Sequence, residues 1–114
     1  MRQFRFRALL TLDPATAGED EDDPGREYPS GSHDLMIHCG RLDEPALRQL
    51  FPALIYTDDD LPLRPGDTDV LATVVVTDDD ACDYLGPGQH ITLWHGHECG
   101  HGVISRQEVV LRPF

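Results

Sequence analysis

The chain has 114 residues, the length of one domain (1–114), and its 39% apolar content is enough for a core without disulfides or metal. Acids outnumber bases 21 to 9, giving a net charge of -12, and every base is arginine. A surface of that sign repels phosphate backbones, which argues against unaided nucleic-acid binding and for a protein with neutral or basic partners.

From the start of the chain, Phe4, Phe6, Ala8, Leu10 and Leu12 alternate with Arg5, Arg7, Leu9 and Thr11. That is a period-two strand with one apolar face, not the unbroken apolar run of a signal peptide. Asp13-Pro14 ends it. Residues 13–33 then carry Gly, Pro, Ser and the run GEDEDD, which reads as a long acidic loop, solvated or used as a docking arm. DLMIHC, ending at Cys39, is a second strand.

Leu42 to Phe51 reads differently. Asp43 is a suitable helix N-cap, Pro45 fits the first turn, and Leu47, Leu50 and Phe51 follow at helical spacing. One short helix is expected at 44–51, stopped by Pro52. ALIYT, ending at Thr57, is a strand cut off by Asp58-Asp59-Asp60. Val70 to Thr77 is the clearest strand, too rich in β-branched residues for a helix of that length. The triplet Asp78-Asp79-Asp80 follows it. Neither acidic triplet has the spaced ligands of a calcium loop, so both read as solvated turn acids.

Residues 89–95 and 98–111 complete a final hairpin. Its turn region, WHGHECGHG at 94–102, holds three of the six histidines and one of the three cysteines. A two-residue turn at Gly96-His97 pairs Trp94 with Cys99, Thr92 with His101 and His90 with Val103. Side chains alternate between faces, so Cys99, His101 and His90 gather on the outward face with Trp94. A Cys-His-His set can give zinc three ligands, with Cys82, His97, an Asp or water as the fourth. The same patch, with Trp94, His95, His97 and His101, also reads as a protein-binding surface. A nucleophilic role for Cys99 with His101 lacks an oxyanion turn and an orienting acid, so no enzyme is expected. The cysteines are odd in number and include no CxxC pair, which points to a reducing, cytoplasmic compartment. No stretch reaches the roughly 18 apolar residues of a membrane span.

About six strands, one short helix and no βαβ rhythm describe a small all-β barrel or sandwich. Three segments resemble the third domain of elongation factor Tu. LRPGD, ending at Asp67, with the strand after it, resembles that domain's Pro-Gly-Asp turn and strand. Gly96, Gly100, Gly102 and Val103 resemble its last hairpin. Gly25, Arg26 and Pro29 in GREYP resemble its Gly-Arg-x-x-Pro element. The matches occur in the family's order and span most of the chain. The resemblance implies a closed six-stranded antiparallel β-barrel of the translation-factor type, acting on protein partners and, in the family, on transfer RNA. The GxxxxGK[ST] loop is missing, so no GTP binding is expected. The acidic charge and absence of lysine speak against carrying the RNA role over. The expectation is a stand-alone binding module with no cofactor. Its contacts are the Trp94 face and the 44–51 helix, with zinc binding as the alternative.

Overall fold

The computed structural model describes residues 2–14, 27–105 and 110–113; most of the expected acidic loop lies outside them, as do Gly25 and Arg26. The chain is all-β, with strands β1 (Arg2–Leu12), β2 (Met36–Gly40), β3 (Arg48–Pro52), β4 (Leu54–Thr57), β5 (Val70–Val76), β6 (His90–Trp94), β7 (Glu98–Ile104) and β8 (Val110–Pro113). One short 3-10 helix, Asp79–Asp83, follows β5; Asp78 caps it by accepting the Asp80 N–H at 2.9 Å.

All strands belong to one antiparallel sheet in the order β3-β2-β6-β7-β1-β5-β4, with β8 pairing the first half of β1. The sheet curls into a half-barrel. β1 is its spine because its length lets one edge serve β5 while the other serves β8 and then β7. Its inward residues meet inward residues of β5 directly: Phe4 opposite Val76, Phe6 opposite Val74, Ala8 opposite Ala72. With Ile37, Phe51, Leu93 and Ile104 they form one buried cluster. The alternation in β1 and β6 therefore specifies these registers, since a one-residue slip would turn every core side chain of those strands to water.

Two expectations are corrected. The barrel is not a closed six-stranded one. The terminal strands β3 and β4 are separated only by Ala53, yet β3 pairs with β2 and β4 with β5. Pro52 has no N–H to donate, so the 48–57 segment divides there into two strands that serve opposite ends of the sheet. The helix at 44–51 does not form either. Residues 41–47 make a compact turn, tied by Arg41 N–H to Leu47 C=O at 2.7 Å and Leu47 N–H to Glu44 C=O at 2.9 Å. Residues 48–52 then run as β3 with Phe51 buried and Leu50 exposed. An isolated helix of two turns is marginal, and pairing with β2 satisfies the same backbone groups. The expected strand from Glu98 to Leu111 is also two strands, β7 and β8.

The turn acids act as expected. Asp58 pairs with Arg7 at 2.5 Å, and the Asp59 side chain accepts the Leu61 N–H at 3.0 Å. Among the described residues no helix is long and apolar enough to cross a membrane.

Candidate functional site

The convex face of the half-barrel is built from the residues that alternate with the core. Its central cross-strand row runs Leu50, His38, Thr92, His101, Thr11 over β3, β2, β6, β7 and β1. Beside it lies the row Pro52, Met36, Trp94, Glu98. On the other side His90, Val103, Leu9 and Leu71 face one another in turn. Cross-strand neighbours of this kind sit about 5 Å apart at Cβ, so each row is a contiguous strip.

The last hairpin keeps the expected register from His90 through Leu93, with Thr92 opposite His101. A bulge between Leu93 and Trp94 then shifts it, so Trp94 faces Glu98, not Cys99, and the turn has three residues, 95–97. Gly96 has φ +73°, a conformation that glycine adopts without strain. The bulge leaves Cys99 unpaired and rotates it toward the core. Its Sγ lies 3.6 Å from the Leu93 carbonyl, and its thiol is hydrogen-bonded with Tyr28.

The residues singled out by sequence are therefore distributed as follows. His101 and His90 are exposed on the convex face, and Trp94 is half-buried there with its ring T-stacked on His38 at 5.7 Å. His97 is exposed at the turn tip. His95 is half-buried and anchors the hairpin: its Nδ1 lies 2.8 Å from the Asp34 carbonyl and its ring packs edge-on against Tyr28 at 5.6 Å. Cys99 shares the Tyr28 neighbourhood and does not join His90 and His101. Among the described residues no three His, Cys, Asp or Glu side chains converge as a metal group.

Burial pushes the Cys99 thiol up and the Cys39 thiol up to about 11, so neither is a thiolate near neutral pH. Cys82 is exposed in the 3-10 helix. In the native protein a thiol reagent such as Ellman's is expected to label Cys82 promptly, Cys99 slowly and Cys39 only after unfolding. Fast labelling of Cys39 would contradict the described packing of β2.

Sequence reading missed Arg48 and His38. Pairing of β2 with both β3 and β6 brings them to Thr92. One guanidinium nitrogen of Arg48, Nη2, donates to the Thr92 hydroxyl at 3.3 Å and the His38 carbonyl at 3.4 Å, and stands 3.5 Å from His38 Nδ1. Burial and then the Arg48 charge lower the His38 pKa, opposed by Glu98, so the ring is neutral at pH 7. No local motif signals this pair, because the contacts span up to 44 residues.

Next to Arg48 the 41–47 turn and the loop before β6 border a shallow, open hollow of about 430 Å³. Its floor is fixed. Gln89 Nε2 donates to the Gly40 carbonyl at 2.7 Å, and Leu42 N–H donates to the Asp83 carbonyl at 2.9 Å. A Cβ on Gly40 would stand 2.5 Å from the Pro45 carbonyl oxygen, so glycine lets the turn close onto β2. Arg41, Arg48 and His90 line the hollow, and no carboxylate does. By contrast, a hollow of about 250 Å³ by Arg64 carries Asp59 and Asp67.

Comparison with protein-family models, with curated proteins and with solved structures finds no match to the chain.

Proposed function

We propose that the chain is a non-catalytic binding module that engages a protein partner through the 41–47 turn and the adjoining convex face of β3, β2 and β6. The observation that carries this reading is the clustering of exposed leucines. Among the described residues seven large hydrophobic side chains are exposed, and three of them, Leu42 (51%), Leu47 (47%) and Leu50 (37%), fall within nine residues. Met36 and Trp94 extend the strip. Apolar side chains gathered in this way mark contact surfaces, and tryptophan is a frequent anchor of them. The translation-factor resemblance of the sequence makes a translation-related protein the first partner to test. The charge of -12 makes RNA the last.

Magnitudes shape the reading. Burying the exposed half of one leucine contributes about 1 kcal/mol. Three leucines then contribute about 3 kcal/mol, less than the cost of about 4–15 kcal/mol for association. The strip therefore needs Trp94 and a polar anchor to hold a partner.

The test is affinity capture from a lysate of the source organism, comparing the intact chain with Leu50→Glu and Leu47→Glu variants. A partner retained by the intact chain is expected to be lost by about tenfold or more with either variant, and to be kept in the presence of chelator. Capture that both variants retain would contradict the assigned face. Capture abolished by chelator and restored by zinc would favour a metal-dependent role for the hairpin histidines.

A further inference from the structure

We propose that the hollow beside β3 recognises an acidic side chain of a partner peptide, a carboxylate flanked by aliphatic residues, with Arg48 as the principal contact. This rests on the binding-module reading and specifies the chemistry of its ligand. In a chain with 21 acids and 9 bases, the hollow is lined by two arginines and a histidine, and because Asp43 and Asp83 offset Arg41, its uncompensated positive charge is that of Arg48.

The two arginines are not equivalent. Arg41 is already occupied: its Nε donates to Asp43 at 2.7 Å, with Asp83 adding a further negative charge nearby. Arg48 is different. Its described partners, His38 and Thr92, are neutral, and all are reached through Nη2 alone. Among the described residues Nε and Nη1 of Arg48 donate to nothing. The Nε and Nη1 hydrogens diverge, so a carboxylate takes one of them in a charge-assisted hydrogen bond, a place that no carboxylate fills among the described residues. Held through Nη2, Arg48 also loses less side-chain freedom when a ligand arrives.

The surroundings select a peptide over a free anion. Leu42, Leu47 and Pro45 belong to the turn beside the hollow, so a ligand with apolar groups on either side of its carboxylate buries them at the same time. A volume of about 430 Å³ admits one side chain and its flanks. A lysine in place of the acidic side chain would meet the Arg48 charge and be disfavoured there. The protein's overall charge does not reverse this, because exposed charges beyond about 8 Å are largely screened at physiological ionic strength. The net charge slows encounter, and the local guanidinium decides what stays bound.

The test uses the full chain labelled with 15N and titrated with acetyl-Leu-Glu-Leu-Glu-Leu-amide. The Gln-for-Glu peptide and inorganic phosphate serve as comparison probes. The Glu peptide is expected to shift the Arg48 Nε–H signal and the amides of Gly40, Leu42, Gly88 and His90 in a saturable way. The Gln peptide and the Arg48→Gln protein are each expected to bind about tenfold more weakly, with the rest of the spectrum unchanged. Equal binding of the Glu and Gln peptides, shifts confined to another face, or no shift at millimolar peptide would each overturn the proposal. Phosphate binding as tightly as the Glu peptide would also overturn it, in favour of a small-anion site. The binding-module reading fails separately: if the captured partner is insensitive to Leu50→Glu, the face is wrong whatever the peptide does.

Discussion

Phe51→Ala is expected to destabilise the protein by about 3–5 kcal/mol, a large part of the total stability of a domain this size. Phe51 is fully buried, sits opposite Ile37 on the inward side of β3, and packs edge-to-face on Tyr84 with ring centres 5.2 Å apart. Truncation removes the transfer energy of the ring and leaves a cavity that a fixed sheet cannot collapse. Its neighbour supplies the control. Leu50→Ala changes an exposed residue on the opposite face and is expected to stay within about 0.5 kcal/mol. Urea unfolding of the two variants measures both. In a helix over 44–51, Leu47, Leu50 and Phe51 would share one stripe and cost similar amounts. A large effect at 51 with almost none at 50 is the signature of a strand.

The second large effect is expected at Gly100. A Cβ there would collide with the Thr11 carbonyl oxygen and stand 3.2 Å from both Leu12 Cα and Leu93 Cδ1. Two of these three atoms are backbone, so β1 and β7 must separate to make room. Gly100→Ala is expected to cost about 1–3 kcal/mol through overpacking. Gly96→Ala probes a different term: nothing lies within 4 Å, but the φ of +73° disfavours any side chain, for a cost of about 1 kcal/mol. Thermal or denaturant melts of the two variants separate strand approach from turn strain. A Gly100→Ala protein as stable as the parent would contradict the described contact between β1 and β7.

The strands whose inward and outward residues differ in kind were legible in the sequence. β1 shows this, because Phe4 to Leu12 commit to a core face by pattern alone; β5 was legible as a strand from its β-branched residues but not as a face, since Leu71 and Val75 alternate with the inward Ala72, Val74 and Val76. The 42–51 segment was not legible. Leu47, Leu50 and Phe51 fit a helical stripe, and Asp43 and Pro45 fit a helix start, but they also fit a turn leading into an edge strand. Only the long-range pairing with β2 chooses between them. The outward leucines that gave the helical appearance are the ones left exposed. The hairpin was legible up to Leu93 and failed at one bulge residue, which moved Cys99 from beside His101 to beside Tyr28. Arg48 was invisible for a different reason: its partners His38 and Thr92 come from two other strands, and nothing near it in sequence marks it.

The most direct test of the central claim is hydroxyl-radical footprinting of the protein alone and in complex with its captured partner. Leucine and tryptophan both report. The account predicts that Leu42, Leu47, Leu50 and Trp94 lose reactivity on binding while Leu9, Leu71 and Tyr56, exposed elsewhere on the sheet, keep theirs. Protection of Leu9 and Leu71 with Leu42, Leu47 and Leu50 unchanged would place the partner on the β1–β5 part of the convex face and contradict the account.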